Sequence, residues 1–189
     1  MASYNMFKTS IELAEGGYQN LKNDKGNYNS LREQVGTNYG ISAKFYESVI
    51  GFPPSEEDMK SITKEEAHIL FKNEFWDRIR ADEINNQAVA EIIADHAINA
   101  NPRITAKIVQ RTLNTRFRKS LIVDGQVGPN TLHAINSVPS DQFFSELAKA
   151  RIKYYKSLSD FKYFGRSWTK RVFNLSDKFG IEIKKKAQF

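Results

Sequence analysis

The chain has 189 residues, 40% of them apolar and 26% charged, a globular composition that excludes a disordered or collagen-like chain. It contains no cysteine, which removes disulfide scaffolds, thiol catalysis and most structural zinc sites. The net charge of +6 divides unevenly: residues 1–100 carry 10 basic and 16 acidic side chains and residues 101–189 carry 18 and 6, so the halves stand at −6 and +12. The second half is therefore expected to meet something polyanionic, whether nucleic acid, a membrane surface or an anionic cell envelope.

From Met1 to Gly16 there is no basic segment followed by an apolar run, and no stretch approaches the roughly 18 to 20 apolar residues of a membrane helix. The expectation is a soluble chain without an export signal. Phe7, Ile11 and Ala14 follow helical spacing and Gly16-Gly17 supplies an exit, so a first helix is predicted to end near Glu15. Residues 18–40 are rich in Asn, Asp and Gly and read as loops with a short hairpin. A brief helix over about 43–49 ends before Gly51 and Pro53-Pro54.

Thr63 and Glu66 form a capping-box pattern with Ile62 before it and Ala67, Leu70, Phe71 and Phe75 after it, the clearest helix start in the chain. Further helices are predicted over 87–98, from Arg103 onward, from Pro129 to Ile135, over 140–158 and over 167–179, leaving Lys184-Lys185-Lys186 as a basic tail. The fold class is mainly α. The change in charge near Asn99 to Arg103 suggests a division into regions 1–100 and 101–189, the second packed against the first.

Among polar residues, Glu15 stands at the predicted end of the first helix. There the negative pole of the helix dipole and partial burial both favour a protonated carboxyl, as a general acid requires. Asp24 would supply the second carboxylate of a glycosidase pair, and Thr37 a hydroxyl that holds water. On position alone, Glu15 also reads as a solvated last-turn residue, Asp24 as a turn residue, and Thr37 and Asn38 as turn or cap groups.

Glu15-Gly16-Gly17-Tyr18, Asp24-x-Gly26 and Thr37-Asn38-Tyr39-Gly40-Ile41-Ser42 resemble the signature of glycoside hydrolase family 108, the predicted N-acetylmuramidases of lysozyme-like fold. Glu65-Glu66-Ala67, Phe75-Trp76-Asp77 and Asp95-His96-Ala97-Ile98-Asn99 stand in the order of that family's later blocks. Val109 to Asn114, Val123 to Leu132 and Arg166-Ser167-Trp168-x-x-Arg171-Val172 resemble the predicted peptidoglycan-binding segment that accompanies it.

The resemblance implies a lysozyme-like helical fold with a loop or hairpin region after the first helix. It implies Glu15 as catalytic acid, and the nine-residue spacing to Asp24 resembles phage-type lysozymes, in which a Glu, an Asp and a Thr line the cleft in that order. There is one departure: residues 27–35 interrupt what is usually a compact Asp-Gly-Gly-x-Thr stretch, so the path from Asp24 to Thr37 is longer.

Aromatic planes and amides suit sugars, which makes Tyr18, Asn38, Tyr39, Asp95, Asn99, Tyr154 and Trp168 candidate substrate-binding residues. Asp95 with His96 also reads as a pair supporting the fold, and Asp124 to Thr131 as a turn followed by a helix start in which Thr131 returns a hydrogen bond. The three histidines lack metal-ligand spacing, so no catalytic metal and no cofactor is expected.

The function expected is a peptidoglycan hydrolase that cuts the β-1,4 bond between N-acetylmuramic acid and N-acetylglucosamine. Its partner would be the bacterial cell wall rather than nucleic acid. Without an export signal it would reach the wall through a holin, another secretion route or lysis, as a prophage or secretion-associated enzyme would. The alternative is a non-catalytic helical protein that binds cell wall, or nucleic acid through its basic, aromatic second half.

Overall fold

The computed structural model describes residues 1–14 and 16–183, leaving aside the side chains of 10–14. Glu15 and the basic tail Lys184 to Lys186 lie outside the described residues. The fold is mainly α, as expected, with a single two-stranded hairpin after the first helix among the described residues. The chain forms two compact units: a smaller one of residues 5–72, and a larger one of residues 1–4 and 73–189.

In the smaller unit, α1 (Tyr4–Ala14, its first residue grouped with the larger unit) leads into the polar stretch. A 3-10 turn at Lys25–Asn27 is started by the Asp24 carboxylate, which accepts from the Gly26 amide at 2.8 Å. The hairpin pairs β1 (Thr37–Asn38) with β2 (Ile41–Ser42), Thr37 opposite Ser42. Its two-residue turn, Tyr39-Gly40, has φ of 46° and 75°, the left-handed pair that matches the twist of a tight hairpin.

Ser42 then caps α2 (Ala43–Ile50), which ends at Gly51 in the left-handed conformation. Both hydrogen bonds of the Thr63–Glu66 capping box are present at the start of α4 (Lys64–Phe71). A short helix, α3 (Glu56–Ser61), has no counterpart in the sequence reading. It has one buried apolar residue, Met59, too few to set a period, and is held instead by the Ser55–Asp58 capping box.

The larger unit is built around α5 (Gln87–Ala100), buried along nearly its whole length from Ala88 to Ala97. Small and branched residues on every side of this helix let others approach from several directions. It packs against α6 (Pro102–Phe117), α8 (Ser140–Lys156) and α9 (Phe161–Phe179). Val109, Leu113, Phe143, Phe144, Leu147, Val172 and Leu175 from those three helices are buried in the same unit. The short α7 (Pro129–Asn136) packs on α6 and opens, as expected, with Pro129 in its first turn.

Helix α9 starts six residues earlier than its apolar pattern suggests. Within its first turns Gly165 lies against the Phe161 ring, where a Cβ would come within 2.6 Å, so the glycine gives that ring its place. Among the described residues no helix is long and apolar enough to cross a membrane.

Candidate functional site

In the smaller unit the local order of the polar stretch comes from its own backbone. Gln19 and Thr37 exchange both backbone bonds at 2.8 Å, and the Asn27 carbonyl accepts from Val35 and Gly36 at 2.8 and 3.0 Å. With Tyr28 bridged to Gln34, residues 28–34 form a loop closed at its base. The segment that lengthens the path from Asp24 to Thr37 is thereby pinched off, and Thr37 returns beside Asn27.

Side chains complete the junction. Asn27, fully buried, and Gln19 pair amide to amide: each donates to the other's oxygen at 3.1 Å. The Gln19 amide also donates to the exposed Asp24 carboxylate at 3.3 Å, and the Thr37 hydroxyl donates to Asn27 Oδ1 at 2.6 Å. Asp24, Gln19, Asn27 and Thr37 thus form one hydrogen-bonded chain. Since the Thr37 proton is committed to Asn27, the hydroxyl oxygen faces any incoming water as an acceptor.

Gln19 and Asn27 were not singled out in the sequence, because amides eight residues apart in a loop carry no periodic signal. Gly36 is required at this junction: φ is 90°, and an added Cβ would meet the Tyr18 ring at 2.6 Å and the Gln19 carbonyl at 2.8 Å.

Tyr18 is half-buried, and its hydroxyl donates to Glu56 at 2.8 Å and lies 3.2 Å from the Val35 carbonyl. Burial and the neighbouring Glu56 carboxylate raise its pKa. Lys60, paired with Glu56 at 2.9 Å, sits 5.1 Å from the ring centre. Asn38 is buried, and its amide donates to the carbonyls of Met59, Lys60 and Ile62 at the end of α3, so its protons are committed to the fold. Tyr39 is half-buried in the hairpin turn. A depression of about 640 Å³ on the same unit is lined by Lys25, Tyr28, Lys44 and Glu47 and includes neither Asp24 nor Thr37.

The remaining predicted residues lie in the larger unit. Asp95 is buried, and its two oxygens accept from Arg151 and Arg171 at 2.6 Å each. Burial would raise its pKa, but the two guanidinium groups outweigh burial and lower it. Arg151 also donates to the Tyr155 hydroxyl at 2.8 Å.

His96 is buried, with Nδ1 at 3.0 Å from the Thr105 hydroxyl. That hydroxyl donates to the Asn101 carbonyl at 2.8 Å, so the ring is the donor and carries its proton on Nδ1. Burial first, and then Arg151, push its pKa down to about 3. Glu91, fully buried on the same helix, is paired with Lys178 at 2.7 Å.

Asn99 is exposed and donates back to the Asp95 carbonyl at 2.7 Å. Tyr154 stands edge-on to His96 at 5.5 Å and lines a groove of about 450 Å³ between α6 and α8. Trp168 is half-buried, 5.5 Å from Tyr155 and 5.8 Å from Phe164. In the Asp124 to Thr131 motif, Gln110 donates to Asp124 at 2.7 Å and to the Gln126 carbonyl at 2.9 Å, while Thr131 returns a bond to that same carbonyl at 3.4 Å. The motif is the turn and helix start that its residues suggest. Among the described residues no three His, Asp or Glu side chains are grouped to hold a metal.

Residues 9–100 match the family described as glycosyl hydrolase 108, and residues 104–173 match a predicted peptidoglycan domain. A solved structure titled "Structure of Brucella abortus SagA" is similar over 98% of this chain and 100% of that one, at 25% identity and a TM-score of 0.80. No curated protein matches the sequence.

Proposed function

We propose that the chain, whose residues 9–100 match glycosyl hydrolase 108 and whose residues 104–173 match a predicted peptidoglycan domain, is a glycoside hydrolase acting on peptidoglycan, an N-acetylmuramidase with Glu15 as general acid. The bond cut is the β-1,4 link between N-acetylmuramic acid and N-acetylglucosamine. Glu15 gives its proton to the glycosidic oxygen as the bond breaks, and positive charge develops at the anomeric carbon. A water that donates to the Thr37 hydroxyl oxygen attacks that carbon, and the Asp24 carboxylate balances the charge and takes up the water's proton.

The observation that supports this reading is the chain Asp24–Gln19–Asn27–Thr37, which links the carboxylate and the hydroxyl through hydrogen bonds despite the inserted loop. Residues 101–189, with their charge of +12, hold the enzyme on an anionic envelope, an attraction that weakens as salt rises.

A turbidity assay on purified cell walls tests the assignment. The intact protein clears the suspension and Glu15→Gln does not, and reducing-end analysis of the digest finds N-acetylmuramic acid. Equal clearing by both proteins removes Glu15 from the mechanism. A digest ending in N-acetylglucosamine removes the muramidase assignment.

A further inference from the structure

The larger unit also carries a concave groove between α6 and α8. The two helices run antiparallel: Phe117 at the end of α6 meets Phe143 at the start of α8 at 5.6 Å, and Arg116 is paired with Glu146 at 3.1 Å. Its walls carry four basic side chains, Arg111, Arg116, Lys149 and Lys153, against one acidic one, Glu146.

Glu146 is already held from both sides, by Arg116 and by Lys149 at 2.7 Å. Arg111 and Lys153, both exposed, have no acidic partner among the described residues. The floor near them includes Thr112 and the ring of Tyr154, which His96 holds edge-on. The concavity of about 450 Å³ falls in the size range of small-ligand clefts, about 300–1,000 Å³.

Two unneutralised cations in a concave, partly aromatic groove favour a ligand with carboxylates spaced along a short chain. In peptidoglycan the glycan offers hydroxyls and acetamides, and its muramic carboxyl is consumed in the amide to the stem peptide. Free carboxylates are on the peptide. We propose that the α6–α8 groove binds the anionic stem peptide, with Arg111 and Lys153 pairing its carboxylates and Tyr154 packing on its aliphatic part. The proposal rests on the reading of the chain as a peptidoglycan hydrolase and adds the part of the polymer that this groove takes.

The probe is the free stem tetrapeptide L-Ala–γ-D-Glu–meso-diaminopimelate–D-Ala, titrated into the full-length protein at fixed ionic strength. Binding is followed by calorimetry and by amide shifts in the NMR spectrum. Shifts centred on Thr112, Thr115 and Tyr154 are expected. The double variant Arg111→Gln/Lys153→Gln is expected to bind about tenfold more weakly or worse, and Lys170→Gln, an exposed change on α9, as the intact protein does.

A peptide with its carboxylates amidated is expected to lose binding to the unaltered protein, a test that needs no variant to fold. Equal affinity of the double variant, equal affinity of the amidated peptide, or larger shifts at these residues from a chitin oligosaccharide, which carries no carboxylate, each overturn the proposal. These readouts are of binding, whereas the muramidase assignment stands or falls on wall clearing and reducing ends, so either can fail without the other.

Discussion

The Thr37 hydroxyl donates to Asn27 Oδ1 at 2.6 Å, and Asn27 is fully buried beneath it. The hydroxyl is therefore aimed from below and can serve water only through its lone pairs. Thr37→Ser keeps that arrangement and is expected to stay within severalfold of the intact rate. Thr37→Val keeps the shape and removes the acceptor. It is expected to lower the rate of wall clearing about 100-fold, the scale of a mispositioned reactant, while costing only about 1 kcal/mol in stability. Steady-state rates and denaturant melts on both variants check this.

Gly36 holds the return of the inserted loop, with positive φ and no room for a Cβ beside Tyr18. Gly36→Ala is expected to destabilise the protein by about 2 kcal/mol or more, combining backbone strain with a clash against ring and carbonyl. The check is the urea midpoint, read together with the Tyr18 hydroxyl environment by NMR.

Asp95 neutralises two arginines, one of them fully buried. Asp95→Asn leaves Arg151 charged in the interior and is expected to cost about 3–5 kcal/mol, the range for breaking a buried pair from one side. Substrate affinity measured on whatever remains folded is expected to be unchanged, because Asp95 is buried and both its oxygens already accept from arginines. Thermal melts and wall-binding assays report the two quantities separately.

His96 sets an acid limit. Its folded pKa of about 3 lies below the 6.5 of an unconstrained imidazole, so the unfolded chain takes up the proton first. Stability from this group is therefore complete above pH 6.5 and is lost as pH falls toward 3, at about 1.4 kcal/mol per pH unit. Between pH 7.5 and 4.5 the intact protein is expected to lose about 2–3 kcal/mol more than His96→Asn, measured by urea denaturation at each pH.

The long helices were legible because their apolar residues repeat: Val89, Ile92, Ile93 and Ala97 mark α5, and Phe144, Leu147, Ala148 and Tyr155 mark α8. The Thr63–Glu66 box was legible because both bonding partners are local in sequence. Helix α3 was not, since a six-residue helix with one buried apolar side chain has no period to read.

The candidate site was legible as a set of residue types and not as a connected unit. Asp24 and Thr37 could be picked from their resemblance to a known pattern. The amides of Gln19 and Asn27 that join them depend on a loop closing on itself, which no spacing rule announces. The same holds for Asp95: its two arginines come from positions 56 and 76 residues further on, beyond the reach of any local pattern.

The placement of α5 bears on where this chain can be divided. In sequence this helix lies within residues 9–100, on the hydrolase side of Asn101, yet α6, α8 and α9, which bury it, all lie on the other side. A recombination joint at Asn101 would leave Ile92, Ile93, Glu91 and Asp95 without the apolar cover and the cations they now have. A cut at Asn101 is therefore expected to unfold α5 rather than release two separately stable pieces: the border between the two sequence matches is not a border of the fold.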